Sequence, residues 1–113
     1  MIFITGPYYS GKRAFARALF GWSEEELAVN AVLDAQKLAE NEDNLEALAD
    51  RLSAHPVVIA VEVGGGVVPM DPLERKNRER AGRLACLLAA RAETAVRMCC
   101  GLPEILKGEL PCG

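Results

Sequence analysis

Gly6 and the pair Gly11-Lys12 stand five residues apart in the stretch Gly6-Pro7-Tyr8-Tyr9-Ser10-Gly11-Lys12-Arg13. That is the spacing of a phosphate-binding loop. A glycine-rich turn of this kind, set between a strand and a helix, points several backbone N–H groups inward and holds an anion at a helix N-terminus. The lysine then reaches the terminal phosphates. Residues 6–13 are therefore expected to bind a nucleotide, GTP or ATP, with Lys12 as the catalytic cation. The pattern asks for serine or threonine after the lysine, whose hydroxyl coordinates Mg²⁺, and Arg13 stands there instead. The cradle is backbone and survives the change, but the magnesium site is weakened. Ser10, three residues upstream, is no obvious substitute.

A second chemical position is Glu62, which closes the apolar run 57–61 and opens a loop with glycines at 64, 65 and 66. A carboxylate at the carboxyl end of a buried strand can act in catalysis, orient the sugar or base of a nucleotide, or bind metal. The alternative is a solvated loop glutamate. The single histidine, His55, precedes Pro56 at the amino edge of that run. Ligands of open α/β sheets lie at the opposite, carboxyl ends of the strands, so His55 reads as structural. Cys86, Cys99, Cys100 and Cys112 include no CxxC pair and no nearby histidine, which excludes zinc spacing and points to reduced, mostly buried thiols.

The elements that must hold these residues alternate between strand and helix. Residues 2–5 form a short apolar strand. A helix follows from Gly11, with Phe15, Ala18 and Leu19 on one side and Gly21 to end it. Residues 44–54 form a helix with Leu45, Leu48 and Leu52 in one stripe, capped by Asn41 or Asp43 and broken by Pro56. The run 57–61 is apolar without alternation, as buried parallel strands are. Asp71-Pro72-Leu73-Glu74 starts another helix, with a capping aspartate and a proline at the first helical position. Its expected inner face is Leu73, Asn77, Ala81, Leu84 and Leu88. Residues 94–100 make a last strand, closed by Gly101 and Pro103. Ser23-Glu24-Glu25-Glu26 is a capping box, yet the pattern after it fits a helix to Glu40 and a strand over 29–34 equally well. The basic run Arg75, Lys76, Arg78, Arg80 and Arg83, interrupted by Glu74 and Glu79, reads as a solvated helix face. The sum is one domain over residues 1–113, an α/β layered fold with a small, mostly parallel sheet of about four strands.

Composition sets the outer bounds. The chain has 113 residues, half of them apolar and 26% charged, with a net charge of −3. The acidic balance and lack of a basic tail argue against nucleic acid or an anionic membrane as partner. No apolar run approaches the roughly 20 residues of a membrane span. No basic segment precedes the short N-terminal apolar stretch, so no signal peptide is expected and the cytoplasm is the expected compartment.

The stretch 57–107 carries Glu62-Val63-Gly64-Gly65-Gly66-Val67-Val68-Pro69, then "AGRL" at 81–84 and "GLPEILKG" at 101–108. It closely resembles the C-terminal half of the cobinamide kinase/cobinamide-phosphate guanylyltransferase family, and "FITGPYYSGK" resembles that family's loop. The resemblance implies a P-loop NTPase-like three-layer fold, phosphorylation of adenosylcobinamide by ATP or GTP, and transfer of GMP from GTP to the product. The implied partners are nucleotide, a cobinamide-type corrinoid and further copies of the chain, a homo-oligomer with sites at its interfaces. Uncovered sheet edges in so short a chain point the same way. The resemblance also makes Asp34, in "AVLDAQKL", the candidate acid that holds Mg²⁺ through water; a surface aspartate on a helix is the alternative. Residues 21–55 are too few to carry the family's extra strand and the helix bearing its GMP-carrying histidine, and Ala60-Val61 replaces the Ser-Asn before the family's glutamate. Phosphoryl transfer is thus better supported than histidine-mediated GMP transfer. A catalytically inactive nucleotide-binding subunit is the alternative.

Overall fold

Three apolar runs build the centre of the sheet. In the computed structural model, which describes residues 1–62 and 71–110, they are β1 (Ile2–Gly6), β3 (Val57–Val61) and β4 (Thr94–Cys99). The three-glycine loop at 64–66 and Cys112 lie outside the described residues. β1 pairs in parallel with β3 on one side and β4 on the other. Every residue of β1 and β3 is buried, which is why neither run alternates in polarity.

Period-2 geometry sorts these strands into two cores. Phe3, Val58 and Ala95, in register with one another, face the helical residues Leu45, Leu48, Leu52, Leu84 and Leu88. Ile4, Ile59 and Val96 face Ala16 and Leu27. Helices α1 (Lys12–Phe20) and α2 (Glu24–Asn30) therefore cover one face. Helices α3 (Ala35–Leu38), α4 (Leu45–Leu52) and α5 (Pro72–Arg91) cover the other. This is the expected three-layer, P-loop NTPase-like α/β arrangement.

The sheet has five strands rather than about four, in the order β2-β3-β1-β4-β5. β2 is only Ala31–Val32, paired in parallel with Val57 and Val58. It resolves the ambiguous segment. The Ser23 hydroxyl accepts the Glu26 N–H at 3.1 Å, the Glu26 carboxylate accepts the Ser23 N–H at 3.3 Å, and the helix so started stops at Asn30. Val29, which the strand alternative would have included, belongs to this helix and is exposed. Residues 21–55 thus hold one two-residue strand and short helices, none of which carries a histidine.

β5 (Leu102–Lys107) pairs antiparallel with β4, where a chain terminus of the sheet was expected. Cys100 and Gly101 have φ of 52° and 78°, the double positive φ of a two-residue type I′ hairpin turn. Pro103 is tolerated because β5 is the edge.

Four smaller expectations change as well. The α1 face buries Ala16, with Phe15 and Leu19 partly covered, while Ala18 is exposed. Asn44 itself caps α4, its side chain accepting the Ala47 N–H at 3.1 Å. On α5 the buried stripe starts at Ala81, because the helix projects past the core: Leu73 is exposed and Asn77 half-buried. Cys86, Cys99 and Cys100 are free and exposed rather than buried, since they sit on the outer side of α5 and at the hairpin turn. Within the basic run, Arg80 does more than face solvent. Its guanidinium donates to the Glu40 carbonyl at 2.9 Å and to Asp43 at 3.3 Å, tying α5 to the turn before α4.

Candidate functional site

β1 leads to α1 on one face of the sheet, while its neighbour β3 leads on to α5 on the other. Divergent exits leave a crevice at the carboxyl ends of the two strands, the place where open α/β sheets bind ligands. Gly6 and Glu62 sit at its floor, joined by the Glu62 N–H donating to the Gly6 carbonyl at 2.8 Å.

The loop rises from this floor. Gly6 has φ of 149°, and a Cβ there would lie 2.5 Å from the Met98 carbonyl oxygen and 2.9 Å from Ser10 Oγ. Only glycine fits. Pro7, Tyr8 and Tyr9 form the exposed crest, and Ser10 is buried. Gly11, at φ 90°, is the residue before α1, and its missing side chain lets Gly101 of the hairpin turn come close. The Gly101 N–H also donates to the Ser10 carbonyl at 3.0 Å. The β4–β5 turn therefore buttresses the loop.

Lys12 opens α1 and is only 7% exposed. Its ammonium folds under the loop, donating to the Pro7 carbonyl at 2.6 Å and to Ser10 Oγ at 3.3 Å. Burial pulls its pKa below 10.5, the carboxylates of Asp34 and Glu62 partly offset this, and the Arg13 charge adds to the lowering. Arg13 points the other way, 60% exposed, with Nη2 3.3 Å from Asp34 Oδ2.

Asp34 lies two residues past β2, at the N-cap position of α3, with a left-handed φ of 53°. Its carboxylate caps nothing on α3. It meets Arg13 instead. The helix is anchored by its next residues: Gln36, buried, accepts the Val61 N–H through Oε1 at 2.9 Å. This bond fixes the distance of Asp34 from the end of β3. Lys12, Arg13, Asp34 and Lys37 together line a cleft of about 410 Å³ beneath Tyr8 and Tyr9. Three cations against one carboxylate give it an excess of positive charge.

Glu62 is engaged from the far side. Arg97 on β4 reaches across the end of β1, its Nε donating to Glu62 Oε1 at 2.5 Å and its Nη2 to Oε2 at 3.1 Å. The hydrogen bond and charge of Glu62 raise the Arg97 pKa further. The structure therefore brings Gly6, Ser10, Gly11, Lys12, Arg13, Asp34 and Glu62 to one end of the sheet. His55 stays exposed at the amino end of β3, outside this group.

Sequence reasoning missed Lys37, Gln36 and Arg97. Lys37 has a local signal, since it follows Asp34 by three residues in a segment that starts a helix. Arg97 has none, because its partner is 35 residues away and meets it only through strand order.

A metal would need the hydroxyl and the carboxylate that phosphate-binding loops normally supply. Here the first is Arg13 and the second is its ion-pair partner, while Ser10 Oγ is occupied by Lys12. Among the described residues no group of three or more His, Cys, Asp or Glu could hold a metal ion. The residues present do not fit Mg²⁺. Among the described residues, too, no helix is long and apolar enough to cross a membrane.

The family model described as cobinamide kinase / cobinamide phosphate guanyltransferase matches residues 19–106. The match begins inside α1, so the loop at 6–13 is assigned by its geometry. The bifunctional adenosylcobalamin biosynthesis protein CobP of Pseudomonas aeruginosa is 39% identical over 77 residues, which cover 67% of this chain and 44% of that protein. The chain thus spans less than half the length of this relative.

Proposed function

The chain belongs to the cobinamide kinase/cobinamide phosphate guanyltransferase family, and from that premise we propose that it is a nucleotide-binding protein of cobalamin biosynthesis performing the kinase half of the family's chemistry. The observation that carries the proposal is Lys12, buried at the start of α1 behind a glycine loop and beside a cleft with two further cations, Arg13 and Lys37. The nucleotide is GTP or ATP and the acceptor a cobinamide-type corrinoid.

Phosphoryl transfer asks a protein mainly for positioning and charge neutralisation. The backbone of residues 6–13 cradles the phosphates, and Lys12 exchanges its bond to the Pro7 carbonyl for one to a phosphate oxygen. Arg13 and Lys37 neutralise charge at the cleft's mouth. Glu62, held from behind by Arg97, orients the acceptor or the nucleotide's sugar. GMP transfer through an imidazole has less support, because His55, the single histidine, lies at the amino end of β3. A catalytically inactive nucleotide-binding subunit is the second reading, favoured by the Arg13–Asp34 pair where a metal would be held.

Transfer of labelled γ-phosphate from ATP or GTP to adenosylcobinamide separates the two. The kinase reading requires product with the wild-type chain and its loss in Lys12→Ala. Nucleotide binding without any transfer would leave the second reading.

A further inference from the structure

We infer that the Arg13 guanidinium, parked on Asp34, takes the place of the divalent cation, so that the cleft receives the phosphate chain of a nucleotide as a metal-free polyanion. This rests on the nucleotide reading above and adds to it the chemical form of the ligand.

Three features converge on it. The two positions that would hold Mg²⁺ are paired with one another, Arg13 Nη2 3.3 Å from Asp34 Oδ2. An aspartate at an N-cap position ordinarily accepts from the helix N–H groups, whereas the Asp34 side chain makes no such bond on α3 and is committed to Arg13. Its left-handed backbone, which aspartate tolerates better than most residues, belongs to the same arrangement. Finally, Lys12 and Lys37 line the same cleft, so the phosphates meet cations without an added metal.

A guanidinium suits this exchange. It is planar, permanently charged and able to donate two parallel hydrogen bonds to phosphate as it does to carboxylate. The Arg13 side chain is 60% exposed and that of Asp34 32%, and an ion pair so open to solvent on its cationic side yields to a stronger anion. Phosphate displaces the carboxylate, and Asp34 acts as a resting partner rather than a metal ligand.

Calorimetric titration of the full chain with ATP and GTP, in excess EDTA and again in excess MgCl₂, tests this. The wild type should bind with the same affinity in both arms. Arg13→Ser, at an exposed site, should lose about tenfold or more in the EDTA arm, as for a lost hydrogen bond to a charged group, and recover affinity when Mg²⁺ is added. Asp34→Asn should bind at least as tightly in EDTA, since a competing carboxylate is gone. Wild-type binding confined to the Mg²⁺ arm, or a loss in Asp34→Asn confined to that arm, overturns the inference and leaves the nucleotide reading standing. No binding in either arm overturns both.

Discussion

Replacing Gly6 by alanine isolates the closest approach in the site. The new Cβ would sit 2.5 Å from the Met98 carbonyl oxygen and 2.9 Å from Ser10 Oγ, on a backbone with φ of 149°. The unfavourable backbone region costs on the order of 1–3 kcal/mol. Relief of the contact requires β1 and β4 to shift, another 1–3 kcal/mol for overpacking. The sum, about 2–6 kcal/mol, is a large share of the roughly 5–15 kcal/mol that holds a domain folded. Gly21 provides the internal control. It too has a positive φ, 67°, but a Cβ there meets nothing within 4 Å, so Gly21→Ala carries only the backbone cost of about 1–2 kcal/mol. Urea unfolding followed by circular dichroism gives both values, with an unchanged m-value showing that the unfolded reference is the same. Equal destabilisation by the two substitutions would refute the packing of the loop against β4.

Three further outcomes are expected. Phosphate restores a counter-charge to Lys12, whose pKa burial holds below 10.5, so binding takes up a proton: nucleotide affinity is full below the lowered pKa and declines as pH rises through it towards 10.5. Titration over that range should show the decline in wild type and its absence in Lys12→Arg; a pH-independent wild type contradicts the buried lysine. Intact-mass measurement after incubation with GTP should reveal no GMP adduct, and one that disappears in His55→Ala would mean that this histidine reaches the nucleotide. The edge strand β5, exposed at all six residues with Leu102, Ile105 and Leu106 among them, calls for a covering partner, and light scattering should find a homo-oligomer. A monomer at tens of micromolar rejects that.

Much of the site was legible because it is local. The glycine-lysine spacing, the apolar runs at 2–5 and 57–61, the Ser23 box and the Asp71-Pro72 start all act within a few residues, and each appears where expected. What was not legible depends on distant partners. β2 is a strand only because Val57 and Val58 pair with it; its own two residues carry no pattern. β5 looked like a terminating loop because Pro103 reads as a breaker until the edge position is known. Asp34 was ambiguous between strand end and helix, and it lies between the two, a left-handed residue just before α3 whose side chain meets Arg13. The pairing of Glu62 with Arg97 needs the strand order β3-β1-β4, which one sequence does not disclose.

The central claim is that nucleotide phosphates bind at the loop between β1 and α1. The larger groove between α4 and α5, about 870 Å³ and lined by Asn44, Gly82 and Cys86 among others, is the competing location. Mapping backbone amide shifts in a ¹⁵N-labelled sample as GTP is added distinguishes the two directly. The account predicts the largest shifts at Tyr8 to Arg13, with Asp34 and Glu62 following, and their loss in Lys12→Ala. Shifts concentrated at Asn44, Gly82 and Cys86, with the loop unmoved, would contradict it.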